Sequence, residues 1–187
     1  MNKQILIAGV LGGLTALVWM LVANTMIPLK SSLIHQVAPN QQEIHAALRS
    51  NITEPGTYSI PYLPRDQQAS FPDYDEQPVY SVTYAGYTHG QSGSAVDIVV
   101  PIVVIFVVAF LAAWILSLTA PERISSYGKR VAFVTLLGIV IALHDDVLQM
   151  FFGPQPRSYL VYLAVNNVLT WFWMGLVIAW KSKPKVG

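Results

Sequence analysis

VDIVVPIVVIFVVAFLAAWILSL, residues 96–118, runs twenty-three positions with one charge, Asp97, near its start. A stretch of that length and character is long enough to cross a bilayer as a helix, which takes about 20 apolar residues. Three further runs on either side meet the same criterion: Gln4–Ile27, Val131–Phe152 and Tyr159–Trp180. Composition agrees. Hydrophobic residues make up 53% of the 187 and charged residues 11%, less than half the roughly 25% charged content usual in soluble domains. The sequence therefore predicts an all-α membrane protein, a four-transmembrane-helix bundle, with the longest polar segment forming a small extracytoplasmic α+β cap.

The positions of Lys and Arg orient the four spans, because such residues accumulate on the cytoplasmic side. Lys3 precedes span one, Arg123, Lys129 and Arg130 separate spans two and three, and Lys181, Lys183 and Lys185 follow span four. The other four, Lys30, Arg49, Arg65 and Arg157, are spread over far more chain. Both termini are expected on the cytoplasmic side. The expected division is residues 1–27, transmembrane helix one; 28–94, the extracytoplasmic cap; 95–119, helix two; 120–130, a cytoplasmic loop; 131–181, a hairpin of helices three and four; and 182–187, a cytoplasmic tail. Span one is read as a signal anchor. Its apolar run exceeds that of a cleaved signal peptide, and Val22-Ala23-Asn24-Thr25-Met26 offers no small-x-small cleavage site. Tyr159, Tyr162 and Trp180 are placed to anchor the interfaces.

Several function classes are excluded at this stage. Cysteine is absent, which removes disulfides, thiolate metal sites, iron–sulfur clusters and cysteine nucleophiles. A net charge of +1 without a basic stripe gives no case for nucleic acid. No Gly-rich phosphate loop, nucleophile elbow or metalloprotease helix motif occurs. The chain is expected to be no enzyme and to hold no cofactor; membrane lipid and other integral membrane subunits, or further copies of itself, are the expected partners.

In the cap, Asn40 followed by Glu43 predicts an approximate capping box opening a helix that runs to Asn51. Glu54-Pro55-Gly56-Thr57-Tyr58 reads as a turn into a short strand, and Val79–Tyr84 as a second strand. Few large aliphatic side chains are available for an independent core. Tyr58, Tyr62, Tyr80 and Tyr84 are candidate partner contacts, since Tyr is enriched at protein interfaces; packing on the cap itself or on lipid headgroups is the plainer use. Asp73-Tyr74-Asp75-Glu76 with His35, His45 and His89 fits no cation-binding spacing and reads as a solvated acidic loop. In span one, Gly9-x-x-x-Gly13 permits close helix approach, within the bundle or against a partner.

The features that carry a family likeness are Gly12, Gly13 and Trp19 in span one, Glu54-Pro55-Gly56-Thr57-Tyr58 with Pro61, Ser125 and Tyr127-Gly128-Lys129-Arg130 leading into span three, and Gly175–Ala179 near the end. In these the chain resembles an uncharacterised family of bacterial four-helix inner-membrane proteins with an extracytoplasmic loop and no assigned function. The resemblance implies topology and bacterial origin; none of its motifs is catalytic, and His144-Asp145-Asp146 is not among them.

That run is the strongest chemical anomaly. Ionisable residues inside a span are costly and mark functional-site hypotheses. At about 1.5 Å per residue from Gly153, the three lie roughly 10–14 Å below the outer end. Span four turns back after Gly153-Pro154-Gln155-Pro156 and brings Asn166 and Asn167 to the same depth. With helical spacing, Thr135, Gly138, Ala142, Asp145 and Gln149 form one inward stripe, so Asp145 is expected to face the bundle; on span four Asn166 shares a face with Thr170. The candidate site is His144, Asp145, Asp146, Gln149, Asn166, Asn167 and Thr170. Three uses are open: hydrogen-bonding glue between helices or a wet helix end; a proton or cation site, in which desolvation favours a protonated carboxyl; and ligation of a pigment or haem by His144. Asp97 is assigned to a capping box with Ser94, and Pro101 either kinks span two or marks its first turns.

Function follows from how these features are distributed. Only the span three–four pair carries buried polar residues, and spans one and two lack the matching half-site of an inverted-repeat transporter. A non-catalytic accessory or scaffold subunit of an inner-membrane complex is the expected function. A small proton- or cation-coupled transporter or channel is the alternative, and a lipid-acting enzyme a distant third.

Overall fold

The computed structural model describes residues 3–26, 33, 38–87, 95–153 and 155–182. Four of its helices are long and apolar enough to cross a membrane: α1 (Lys3–Thr25), α3 (Ala95–Leu118), α4 (Tyr127–Phe152) and α5 (Arg157–Lys181). Helix α2 (Gln41–Asn51) and two strands, β1 (Gly56–Ile60) and β2 (Tyr80–Tyr84), complete the principal elements. The chain divides into two units, Val37–Ser94 and the remainder.

In the helical unit, α1 packs against both α3 and α5, α5 packs against α4, and α3 and α4 barely touch. The order is α3–α1–α5–α4, with α1 and α5 central. Small residues set the close contacts. A Cβ at Gly9 would stand 2.9 Å from the Phe110 Cα, and one at Gly13 would enter the Phe106 ring, both on α3. Gly9 and Gly13 are therefore consumed within the bundle. Of the two uses the glycine spacing allowed, close approach inside the bundle is the one adopted, and neither residue is left as a partner contact. On α4, Gly138 receives the Trp171 side chain of α5 in the same way. The buried cluster is made of Ala8, Ala109, Ala112, Ala113, Leu116, Ile124, Val134, Met174 and Ile178.

Helix α4 starts at Ser126, whose hydroxyl accepts from the Lys129 N–H at 3.3 Å, a side-chain cap satisfying one of the first orphan amides. Arg130 is 6% exposed. Its Nε donates to the Ala179 carbonyl at 3.1 Å, and its Nη1 donates to those of Ile124 (3.2 Å) and Ser125 (3.3 Å). Ala179 lies in the last turn of α5, where carbonyls have no helical partner. One guanidinium thus ties the α3–α4 loop to the end of α5. Pro101 sits inside α3, which runs on from Ala95 to Leu118. Ser94, the proposed cap of that helix, lies outside the described residues.

In the second unit, β1 and β2 pair antiparallel, Gly56 opposite Tyr84 and Ile60 opposite Tyr80. Helix α2 has the predicted span, but the capping box does not form. Asn40 adopts a left-handed conformation (φ 57°) and its side chain makes no cap bond, a conformation that Asn tolerates better than other non-glycine residues. No described residue of this unit is buried, in keeping with its small stock of aliphatic side chains.

Candidate functional site

The polar cluster of α4 occupies a π-helical turn, Leu143–Val147, between two α-helical stretches. A π-turn takes up an extra residue relative to an α-turn and so acts as a one-residue insertion in the phase of the helix. The buried positions before it are Val134, Gly138 and Ala142; beyond it the inward positions pass from 145 and 149 to 146 and 150. Asp146 is 6% exposed, whereas the Asp145 side chain is 60% exposed and His144 78%. Gln149 is exposed too. The inward-facing acid is therefore Asp146, and the expectation that Asp145 and Gln149 face the bundle is corrected: it assumed an unbroken period of 3.6 residues.

Asp146 meets span four at the predicted level. Its Oδ2 accepts from Asn167 Nδ2 at 2.7 Å. Asn166, one residue earlier and about 100° around α5, serves a different helix. Its Oδ1 accepts from Trp19 Nε1 on α1 at 3.1 Å. The Trp19 ring lies 5.9 Å from that of Trp173 on α5. Thr170 turns back to its own helix, donating to the Asn166 carbonyl at 2.8 Å. Tyr162 donates to the Ala23 carbonyl at 3.4 Å, joining α5 to α1 again. Sequence reasoning placed no role on Trp19 or Arg130 beyond a family likeness and a topological charge. The signal that could have found Trp19 is its polar N–H at the depth of Asn166 on a facing helix.

On the outer side, His144 Nδ1 and Asp145 Oδ1 lie 2.8 Å apart. The predicted seven-residue set thus separates into two groups. Asp146, Asn167, Asn166 and Thr170 lie between helices, while His144, Asp145 and Gln149 form an outward polar flank. Beside the π-turn, α4 and α5 enclose a groove of about 280 Å³ between residues such as Leu143, Val147, Val165 and Val168, and every residue lining it is apolar. The groove offers a polar cargo no ligands. Among the described residues no cluster of three His, Asp or Glu side chains is arranged to hold a metal ion; His35 and His89 lie outside them.

The inward group forms paired interhelical hydrogen bonds, and the outward group presents a donor–acceptor pair to whatever adjoins α4. No protein-family model, curated protein or solved structure matches the chain.

Proposed function

We propose that this protein is a non-catalytic accessory subunit of a larger membrane-protein assembly, held in a bacterial inner membrane with both termini cytoplasmic and residues 28–94 outside. The distribution of Lys and Arg supports that orientation, and the family likeness supports the bacterial setting. The observation that carries the assembly reading is the outward flank of His144, Asp145 and Gln149 on an apolar span. An Asp at the centre of a transmembrane helix costs about 3 kcal/mol on insertion scales. Facing lipid, the polar atoms of the pair beyond the His144–Asp145 contact would meet acyl chains. A neighbouring protein helix with hydrogen-bonding side chains removes that cost, so the flank is a contact surface for another subunit.

Transport of a proton or cation is the weaker reading. A pathway needs its polar groups to converge, and here adjacent acids point to different surroundings, with Asp146 already engaged by Asn167. The test is native mass spectrometry of the protein purified gently from its own membranes. A stoichiometric heteromeric partner, lost on replacing His144 and Asp145 by Leu, is the expected result. A lone monomer or homo-oligomer overturns the reading and makes reconstituted proton flux, wild type against Asp146→Asn, the next experiment.

A further inference from the structure

The two-stranded ribbon sorts its side chains completely. Antiparallel register puts Tyr58 opposite Val82 and Ile60 opposite Tyr80, with Tyr84 on the same side; Thr57, Ser59, Ser81 and Thr83 occupy the reverse. The Thr57 and Thr83 hydroxyls meet there at 3.3 Å. One face is thus aromatic and aliphatic, the other carries only hydroxyls, and neither strand holds a charge. The apolar face is half-buried at its centre, at Tyr58 and Val82, and open at its ends, where Tyr80 is 62%, Ile60 43% and Tyr84 39% exposed.

We propose that this face lies in the interfacial layer of the bilayer that the long helices span, with the boundary between headgroups and acyl chains as its ligand. The proposal goes beyond the assembly reading and rests only on those helices being transmembrane. Two observations favour lipid as the occupant. The chain leads from β2 directly to a span: Tyr84 and Ala95 are separated by eleven residue steps, at most about 37 Å fully extended, so the ribbon is tethered within reach of the membrane surface. Its tyrosines join an apolar ring to a hydroxyl, the chemistry that concentrates Tyr at membrane–water boundaries. Residues 37–94 hold six acids (Glu43, Glu54, Asp66, Asp73, Asp75, Glu76) against Arg49 and Arg65, which anionic headgroups would repel, so the contact proposed is burial of the uncharged face alone.

The absence of cysteine makes single-site spin labelling direct. Nitroxides at Ile60→Cys and Tyr80→Cys, against Ser59→Cys and Ser81→Cys on the reverse, are read in the full-length chain in phosphatidylcholine nanodiscs by collision with oxygen and with a water-soluble nickel chelate. The expected result is severalfold preference for oxygen at Ile60 and Tyr80 and for nickel at Ser59 and Ser81. Nickel preference at all four overturns the proposal. Shielding of Ile60 and Tyr80 from both reagents also overturns it, in favour of a covering protein surface. In the unsubstituted chain with carbon-13-labelled tyrosine, lipids bearing a nitroxide near the acyl boundary should broaden the Tyr80 and Tyr84 ring signals; unbroadened signals overturn the proposal without any substitution.

Discussion

The two ends of the helical unit are held together by different physics. At the Arg130 end, α3 presents Ala109, Ala112, Ala113 and Leu116, all buried, against Ala8 and the glycines of α1, with Val134, Met174 and Ile178 completing the cluster. At the Asp146 end, the first ten residues of the same helix, 95–104, are exposed on every face. The Val- and Ile-rich sequence there has no small-residue notch to seat on a neighbour. At that end a thinner set of buried residues, Ala23, Ala142 and Leu160, is supplemented by side-chain hydrogen bonds: Trp19 to Asn166, Asn167 to Asp146, and Tyr162 to the Ala23 carbonyl. Close packing needs small residues in register along two helices. Polar tethers need only one matched pair at a given level, so they can hold helices whose surfaces do not interlock.

If that contrast is right, the largest loss of stability comes from the packed end. Arg130→Ala removes three hydrogen bonds from a charged donor and leaves the Ala179, Ile124 and Ser125 carbonyls without it. The expected cost is about 3 kcal/mol, allowing for partial rescue by water at a helix end. Thermal unfolding in detergent measures it. A loss below that of Trp19→Phe would reverse the ranking of the two ends.

Gly138→Ala comes next. The new methyl group would collide with the Trp171 side chain near its Cβ, an atom whose position is fixed by the backbone of α5. Overpacking of this kind costs about 1–3 kcal/mol. The same assay checks it, and a compensating Trp171→Ala should recover part of the loss. Failure to recover any of it would mean that the α4–α5 contact at this level is not the limiting one.

Trp19→Phe sharpens the comparison from the other end. It keeps an aromatic ring near Trp173 while deleting the donor to Asn166. Interhelical hydrogen bonds average about 0.6 kcal/mol in membrane proteins, so the expected change is small. A loss approaching that of Arg130→Ala would show that the polar tethers, not the packed cluster, carry the bundle.

These differences bear on how much was legible in the sequence. The four long helices were, because an apolar run of sufficient length has few alternatives. The strands and α2 were also legible to within a residue or two, since Gly56, Tyr58 and the Val79–Tyr84 alternation carry local signals. The depth match of span three with Asn166 and Asn167 followed from counting about the turn, and Asp146–Asn167 meets that expectation in level. Which acid faces inward did not follow. That depends on the π-turn at Leu143–Val147, a local change of helical phase that no residue in the run announces; a period of 3.6 selects Asp145. Nor did the role of Arg130: its charge was read as an orientation signal, while it bonds two carbonyls just upstream, Ile124 and Ser125, and the distant one of Ala179.

The smallest expected effect on folding belongs to the outward flank. Replacing His144 and Asp145 together by Leu removes an exposed pair and replaces it with residues suited to an apolar span. The stability of the isolated protein should change by less than about 0.5 kcal/mol, as for most surface substitutions, or rise, because a polar pair on an apolar span is gone. Thermal unfolding in detergent reads this directly, beside Asn167→Ala, which strips Asp146 of its donor at the same level and should be the more damaging of the two. The contrast between two neighbouring acids is the informative part. If Asp145 were inside and Asp146 outside, the order would invert, since the π-turn sets which of the two faces inward. A destabilisation by the His144, Asp145 double replacement greater than that by Asn167→Ala would therefore overturn the assignment of the outer face and, with it, the case that this face awaits another subunit.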